Sequence, residues 1–213
     1  MKIIDVANWK RKDHYNLYRN LDFPYLNITA NVDITHLYSW SKVNQASLFS
    51  CIAYLATHAV NNIAELRLRI RGDQVVEHSL VHPSYTVLTD DETLGFSTIQ
   101  YSPEFSIFYQ NVIQGIESTK CDPTIHDEPG RDDLVFLTTF PWASFTQVSH
   151  PVPIHPPDSF PRITWGKFFD QGNHRLMPLS LLANHALVDG LHVGKFFELV
   201  QKWMNNPEII LSS

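Results

Sequence analysis

Cysteine is scarce in this sequence, which has only Cys51 and Cys121 among its 213 residues. The two lie far apart in the chain and form no Cys-x-x-Cys pair, so the sequence indicates neither a disulfide framework nor a thiolate metal site. Proteins of reducing compartments keep their cysteines in this unpaired form. We therefore expect a cytoplasmic protein.

Long apolar runs and an excess of positive charge are also missing. The longest apolar stretch, Leu48–Val60, is shorter than the roughly 20 residues that a membrane span needs and contains Thr57 and His58. The N-terminus carries Asp5 and no apolar core, so we expect no secretory signal. With 16 Lys and Arg against 22 Asp and Glu, the net charge is −6. We therefore expect neither nucleic acid nor a membrane as a partner.

What is present is the composition of a globular protein. Hydrophobic residues make up 44% of the chain and charged residues 18%, with 8 Gly and 13 Pro, which excludes a mainly disordered chain. No internal repeat, charge block or linker divides the sequence, and the proline-rich patch 151–161 is short enough for a loop. We therefore expect residues 1–213 to form a single domain.

Hydrophobic spacing predicts strands and helices throughout the chain. Period-two alternation predicts a strand over 26–34, and apolar residues at three- and four-residue steps predict a helix after Ser47. Residues 162–169 and 175–184 predict a hairpin, because Asp-Gln-Gly-Asn at 170–173 suits a turn. Further helices are predicted over 13–19, 105–116 and 191–203, and further strands over 86–88, 96–99 and 134–142.

The order of these elements favours one fold class. Strands come in adjacent pairs, and no glycine-rich turn leads from a strand into a helix as a doubly wound fold requires. We therefore expect an α/β (α+β) two-layer sandwich, in which helices cover one face of a mixed, mostly antiparallel sheet.

One of the 11 histidines stands apart by its position. His185 follows an apolar strand and opens the pattern H-x3-D-G-x-H, which contains Asp189, Gly190 and His192. A strand that ends in such a turn can aim the imidazole into a cleft while strand pairing holds its backbone. Because much of an unperturbed imidazole is neutral near pH 7, His185 is a candidate general base.

The same pattern is compatible with other uses of these residues. His185 equally fits a buried structural histidine, with Asp189 capping the following helix. As metal ligands, His185, Asp189 and His192 would need one common face, which the change from strand to helix prevents. His150 and His155 lack a carboxylate or cysteine at ligand spacing, so we expect no metal there. No Gly-x-Ser-x-Gly elbow supports a serine hydrolase.

Three blocks of the sequence carry a wider resemblance. The C-terminal block is 176–180 followed by 184–196, and it contains the H-x3-D-G pattern. The other two are Asn-Trp-Lys-Arg-Lys-Asp-His-Tyr-Asn-Leu-Tyr-Arg at 8–19 and Phe-Pro-Trp-Ala-Ser-Phe-Thr at 140–146. In order, spacing and total length, the chain resembles the chloramphenicol acetyltransferases, a family of the coenzyme A-dependent acyltransferase superfamily.

This resemblance implies an assembly and a reaction. The assembly is a homotrimer of two-layer subunits, with each active site at a subunit boundary, acetyl-CoA as co-substrate and no metal. The reaction is O-acetylation of chloramphenicol or a related hydroxylated small molecule, as in antibiotic resistance. It implies a ternary complex in which His185 takes a proton from the acceptor hydroxyl, whose oxygen attacks the thioester carbonyl directly.

The resemblance also implies roles for residues outside the C-terminal block. Arg11 would pair with Asp189 and hold the site together, and Thr164 would help to bind the tetrahedral intermediate through a water. Thr138 stands where the family has a serine that donates to the oxyanion, and a threonine keeps that donor. Tyr18 matches a tyrosine of the acceptor pocket.

Departures from the family pattern concern the acceptor more than the chemistry. Asn184 replaces a second histidine, and Val188 replaces a cysteine. Val148 and His150 stand where the family has larger apolar residues against the ring of the drug. A polar imidazole there weakens the binding of a purely hydrophobic ligand. We expect Lys167 to lie on the coenzyme side of the site.

Two other functions fit the same motifs. A non-catalytic trimeric ligand-binding protein would keep the acyltransferase fold while its pocket changed. The catalytic domain of a dihydrolipoyl acyltransferase shares the H-x3-D-G chemistry, but it normally carries lipoyl domains and linkers, which this sequence does not contain. Release of a thiol from acetyl-CoA separates an enzyme from a binding protein.

Overall fold

A large β-sheet organises the fold, and its ends and one of its faces carry the candidate site residues. The computed structural model of the protein describes residues 1–125 and 128–212. Its strands and helices, in chain order, are β1 (Lys2–Ile4), α1 (Lys12–Tyr18), β2 (Tyr25–Asp33), α2 (Thr35–Val43), α3 (Leu48–Asn61), β3 (Leu68–Arg71), β4 (Gln74–Glu77), β5 (His82–Leu88), β6 (Leu94–Thr98), α4 (Phe105–Cys121), β7 (Leu134–Phe140), β8 (Arg162–Gly166), β9 (Phe169–Gln171), β10 (His174–Asn184), α5 (Gly190–Asn205) and α6 (Glu208–Leu211).

The large sheet has the strand order β2-β10-β8-β7-β5-β6, and β9 pairs with the beginning of β10. Strand β7 runs parallel to both of its neighbours, β5 and β8. The other pairs, β2 with β10, β10 with β8, β10 with β9 and β5 with β6, are antiparallel. The sheet is therefore mixed and mostly antiparallel, which confirms the predicted fold class.

The predicted hairpin is present, but its first strand is interrupted. Gln171 pairs with His174 across a two-residue turn in which Gly172 has a φ of +59°, a conformation that costs glycine least. The first strand divides into β8 and β9, and β8 ends at Gly166. A Cβ on Gly166 would lie 2.8 Å from the ring of Phe145, so this ring packs directly on the strand.

Helices cover one face of the large sheet. Helix α3 begins after Ser47, whose side-chain oxygen accepts from the backbone N–H of Ser50 at 3.3 Å, as the sequence predicts for an N-cap. The strand residues Leu137, Ile163 and Leu181 form one row across the sheet and belong to the core that α3 completes. Among the described residues, no helix combines the length and apolarity that crossing a bilayer requires.

A second, smaller sheet of order β1-β4-β3 and the helix α2 are missing from the sequence prediction. These strands span only three or four residues, too few for hydrophobic alternation to reveal them. The buried guanidinium of Arg69 in β3 donates to the carbonyl of Asp132 at 2.8 Å and so ties this sheet to the segment before β7. Strand β7 ends at Phe140, before the predicted Trp142, because Pro141 has no N–H for the ladder.

Candidate active site

The turn after β10 places His185 at one end of the large sheet. Its backbone N–H donates to the carbonyl of Pro24 at 2.7 Å, which extends the pairing of β10 beside β2 by one more bond. The side-chain oxygen of Asn184 accepts from the N–H of Ala186 at 3.0 Å, and its amide donates to the carbonyl of Asp158 at 2.9 Å. Asn184, one of the departures from the family pattern, thus anchors the turn on both sides.

A hydrogen bond selects the tautomer of the His185 ring. Its Nδ1 lies 2.9 Å from the carbonyl oxygen of Val188. Because a carbonyl oxygen can only accept, the neutral ring carries its proton on Nδ1 and a lone pair on Nε2. The ring of Tyr18 stacks on the imidazole with centroids 4.0 Å apart and planes 12° apart. The His185 side chain remains 26% exposed, so it is reachable from outside this chain.

An ion pair connects this turn to the N-terminal segment. The guanidinium of Arg11 binds both carboxylate oxygens of Asp189, one of them at 3.0 Å, and also donates to the carbonyl of His185 at 3.4 Å. Arg11 is buried and Asp189 is one-third exposed. The hydrogen bonds from Arg11 hold the pKa of the Asp189 carboxyl below its usual value. The Asp189 oxygen stays 3.7 Å from His185 Nδ1, so the carboxylate orients the turn and leaves the imidazole proton to Val188.

Asp189 also begins helix α5. Its side chain accepts from the backbone N–H of His192, while its own backbone N–H donates to Nδ1 of His192 at 2.9 Å. Both reciprocal bonds of a capping box are therefore made, with His192 in the position that a glutamate usually takes. The capping role and the ion pair with Arg11 thus coexist on one aspartate.

A row of hydroxyl side chains crosses the face of the sheet opposite α3. Thr138 in β7 is the register partner of Thr164 in β8, and Thr164 is the partner of Ser180 in β10. Successive strand residues point to opposite faces, so this row lies opposite the neighbouring row of core residues. Thr164 is buried, and its Oγ1 lies 3.0 Å from Nε2 of His150. The structure thus brings together three predicted site residues: Thr138, Thr164 and His150.

A cavity of about 440 Å³ opens beside this row. Most of its lining surface is apolar. Thr138, His150 and Arg162 are among the polar residues of the lining. Its described lining residues are Ser84, Tyr85, Thr86, Leu94, Phe96, Phe136, Leu137, Thr138, His150, Pro151 and Arg162. The volume and the largely apolar wall are typical of a pocket for a small organic molecule.

The loop 141–161 forms one side of this cavity and is anchored to the sheet mainly through its own backbone carbonyls. The side-chain amide of Asn27 donates to the carbonyl of Val148 at 2.6 Å. The hydroxyl of Tyr25 donates to the carbonyls of Pro153 and Asp158, each at 3.2 Å. Val148 therefore serves as a backbone anchor, and it is not among the described residues that line the cavity.

His150 enters the site with its side chain, and Pro151 of the same loop also lines the cavity. Burial lowers the pKa of the His150 imidazole, and the nearby positive charge of Arg162 lowers it further. The guanidinium of Arg162 is itself paired with the carboxylate of Asp158, at 2.9 and 2.5 Å. His150 is therefore neutral near pH 7. The positive charge of Arg162, which lines the same cavity, is already compensated by the carboxylate of Asp158.

The two groups of predicted residues do not meet within one chain. The base turn, which we define as Arg11, Tyr18, His185 and Asp189, lies at the end of β10. The hydroxyl face, which we define as Thr138, Thr164 and His150, lies along the sheet. His185 follows Ser180 by five residues, so its backbone is about 16 Å from the row that contains Thr164.

Lys167 stands apart from both groups. It follows β8, and its backbone N–H donates to the carbonyl of Ala143 at 3.0 Å. It lines a second, mostly apolar cavity of about 240 Å³ together with Phe49, Trp165 and Phe168. No group of three or more metal-ligating side chains is found within residues 1–125 and 128–212.

Sequence reasoning did not single out several residues of these sites. Phe96, Phe136 and Arg162 line the cavity of the hydroxyl face, and His192, which the sequence marks only as part of the H-x3-D-G-x-H pattern, completes the capping box. The alternation of side chains along β6 and β7 could have indicated the two phenylalanines. It places Phe96 and Phe136 on the same face of the sheet as the residues they pair with on β5. The register between strands, which a single sequence does not show, is needed to use that signal.

Known proteins resemble the chain over nearly its whole length. The family model described as chloramphenicol acetyltransferase matches residues 1–201. Chloramphenicol acetyltransferase 3 of Escherichia coli is 28% identical over 204 residues, which cover 95% of this chain and 96% of that protein. The chloramphenicol acetyltransferase of Clostridium perfringens is 29% identical over 209 residues, covering 97% and 95% respectively.

Solved structures show the same fold. A chloramphenicol acetyltransferase matches with a TM-score of 0.84 at 24% identity, covering 95% of this chain and 99% of that one. A dihydrolipoamide acetyltransferase of Azotobacter vinelandii matches with a TM-score of 0.70 at 14% identity, covering 94% and 88%. The fold is thus shared with both proteins. The family model, in addition, covers all three sequence blocks on which the resemblance rests. The chain belongs to the chloramphenicol acetyltransferase family, a family of acyltransferases.

Proposed function

We propose that the protein transfers the acetyl group of acetyl-CoA to a hydroxyl of a small molecule, with His185 as the general base of a ternary complex. The observation that carries this proposal is the hydrogen bond between His185 Nδ1 and the carbonyl of Val188. In the neutral form of the ring, this bond leaves the lone pair on Nε2 of a partly exposed side chain, which is what a base for a hydroxyl proton requires.

In the proposed reaction, Nε2 of His185 takes the proton of the acceptor hydroxyl as its oxygen attacks the thioester carbonyl. A C–O bond forms, and the carbonyl π electrons move onto oxygen. The tetrahedral intermediate then collapses, the C–S bond breaks, and the proton on Nε2 passes to the departing coenzyme A sulfur. Acetylated acceptor and free coenzyme A leave, and the imidazole is neutral again.

Hydroxyl donors would stabilise the oxyanion of this intermediate. Thr138 carries the hydroxyl proposed to donate directly, and its half-buried position beside the cavity supports that role. Thr164 is proposed to assist through a water. Each such preorganised donor is worth about 10²–10³-fold in rate in enzymes that use them.

The distance between the base turn and the hydroxyl face supports an active site shared between chains. A base about 16 Å from the oxyanion donors of its own chain cannot serve them. In the homotrimer that we propose, His185 of one subunit would face Thr138 and Thr164 of the next. The ion pair of Arg11 with Asp189 would hold the turn at that boundary.

The cavity of the hydroxyl face is the proposed acceptor pocket. His150 lines it, Val148 shapes the loop beside it, and Tyr18 reaches the boundary through its stack on His185. Chloramphenicol or a related hydroxylated molecule is the proposed acceptor. Lys167, beside the second cavity, is the proposed contact on the coenzyme side, and no step of the proposed reaction uses a metal.

The proposed activity is tested by incubating the protein with acetyl-CoA and a panel of hydroxylated acceptors that includes chloramphenicol. Thiol release is followed in time, and the acetylated acceptor is identified by its mass. We expect acceptor-dependent thiol release that the variant His185→Gln abolishes. Thiol release without any acetylated acceptor, or no release with any acceptor, would contradict the proposal, and the latter result would favour the non-catalytic binding protein.

Mixed trimers test the shared site. The variants His185→Ala and Thr138→Val are each expected to be nearly inactive alone. If each site takes His185 and Thr138 from different subunits, random co-assembly of equal amounts restores about a quarter of the parental sites. If each site lies within one chain, every chain of the mixture is defective and no activity returns. A monomeric protein in sedimentation would also contradict the shared site.

A further inference from the structure

The proposed acceptor pocket has one feature that its largely apolar wall does not require. His150 enters it from the loop 141–161, and its Nε2 is engaged by the buried hydroxyl of Thr164 at 3.0 Å. Its Nδ1 has no hydrogen-bond partner within residues 1–125 and 128–212, and it is not one of the buried polar atoms that solvent cannot reach. The ring is thus held in place at one nitrogen and open at the other.

The open nitrogen can act as a donor or as an acceptor. If the Thr164 hydroxyl donates to Nε2, the neutral ring carries its proton on Nδ1 and offers a donor. If Nε2–H donates to the Thr164 oxygen instead, Nδ1 offers a lone pair. Either way the His150 ring, which lines this largely apolar cavity, keeps one hydrogen-bonding nitrogen open, and a wholly apolar ligand would offer that nitrogen no partner.

The charge of the pocket limits the ligand further. Arg162 is the one charged side chain among the described lining residues, and no carboxylate lines the pocket with it. The positive charge of Arg162 disfavours a cationic ligand. The carboxylate of Asp158 already compensates that charge, so an anionic ligand gains little from it.

We propose that His150 is the specificity-determining residue of this pocket, and that it selects neutral hydroxyl acceptors that carry a second hydrogen-bonding group against the imidazole. This inference rests on the proposed function, because it takes the cavity beside Thr138 as the acceptor pocket. It adds the chemical class of the acceptor and assigns the selection to one side chain.

A matched pair of ligands tests this selection. 4-Acetylbenzyl alcohol and 4-isopropylbenzyl alcohol have the same ring, the same primary hydroxyl and para groups of nearly equal shape, but only the first has a carbonyl on its para group. Their dissociation constants are measured by calorimetry for the parent and for His150→Leu. The affinity ratio of the acetyl to the isopropyl compound should fall roughly 3- to 10-fold in the variant, the range of one neutral hydrogen bond.

Three further variants make the result decisive. His150→Gln keeps a hydrogen-bonding group and should retain at least part of the parental ratio, and His150→Phe gives a second apolar replacement of similar shape if the leucine variant does not fold. His36→Leu, which changes an exposed histidine on α2, should leave the ratio unchanged. An unchanged ratio in folded His150→Leu or His150→Phe would overturn the inference. Because binding needs no turnover, a shifted ratio with no acetyl transfer by the parent would uphold it and contradict only the proposed reaction.

Discussion

The base turn and the hydroxyl face supply different parts of the proposed site, and the chain builds them by different means. Within the base turn, His185 and Asp189 come from one continuous segment after β10, and Arg11 and Tyr18 contact that segment from the N-terminal part of the chain. The hydroxyl face takes Thr138 and Thr164 from adjacent strands and His150 from a loop. The base turn is held by the ion pair between Arg11 and Asp189, and the hydroxyl face is held by the register of the sheet.

This difference separates what each part contributes to rate and to stability. The base turn contains the buried guanidinium of Arg11, whose charge is compensated by Asp189. Loss of Asp189 should therefore lower the stability of the fold as well as the activity. In the hydroxyl face, Thr138 and Thr164 are neutral groups on strands that pair through their backbones, so replacing Thr138 should affect the rate with little effect on folding.

The largest effect is expected from His185→Ala. Loss of a general base should lower kcat by about 10²–10⁴-fold, because no other side chain of the base turn can take the hydroxyl proton. The melting temperature should change little, since the turn keeps the ion pair between Arg11 and Asp189. Steady-state kinetics and calorimetric melting check both parts. Activity within twofold of the parent would exclude His185 as the base.

The next effect concerns the hydroxyl face. Thr138→Val replaces the hydroxyl by a methyl group of similar size and should lower kcat by about 10²–10³-fold. Thr138→Ser is the matched control and should keep most of the activity, since it retains the donor. Equal rates for the parent and the valine variant would show that the oxyanion is stabilised elsewhere.

A smaller effect, on stability, should distinguish the base turn from other ion pairs. Asp189→Asn leaves the buried Arg11 without its charged partner and should lower the free energy of unfolding by about 2 kcal/mol, reduced from a fully buried pair because Asp189 is one-third exposed. Asp170→Asn removes an exposed partner of Arg175 and should leave the urea midpoint unchanged. Equal midpoints for the two variants would remove this distinction between the pairs.

The smallest effect is a difference in the pH at which each part loses stability. Burial lowers the pKa of His150, so below the unfolded value of about 6.5 the unfolded chain binds more protons and stability falls. The pKa of Asp189 is lowered by Arg11, so its contribution is present above about pH 4 and is lost only below that. Urea midpoints from pH 7.5 to 5 should fall less for His150→Leu than for the parent. A parallel fall in the two proteins would contradict the assignment.

Sequence alone reaches far into the base turn and less far into the hydroxyl face. The H-x3-D-G pattern, the strand before it and the helix after it are local, and β10, α5 and His185 lie where those signals indicate. The second sheet and α2 escape detection, since short strands and a helix without a side-chain cap carry weak local signals. Likewise, Val148 turns its carbonyl to Asn27, and the separation of about 16 Å between His185 and the threonine row follows only from strand register.

The loop 141–161 has a consequence for how this enzyme family diversifies. Its main anchors to the sheet are backbone carbonyls, of Val148, Pro153 and Asp158, which every amino acid possesses. Most side chains of the loop can therefore be replaced while these backbone anchors to the sheet are kept. A change of acceptor could therefore be made by substitutions in this segment alone, because the proposed base, His185, follows another strand and does not depend on the side chains of the loop.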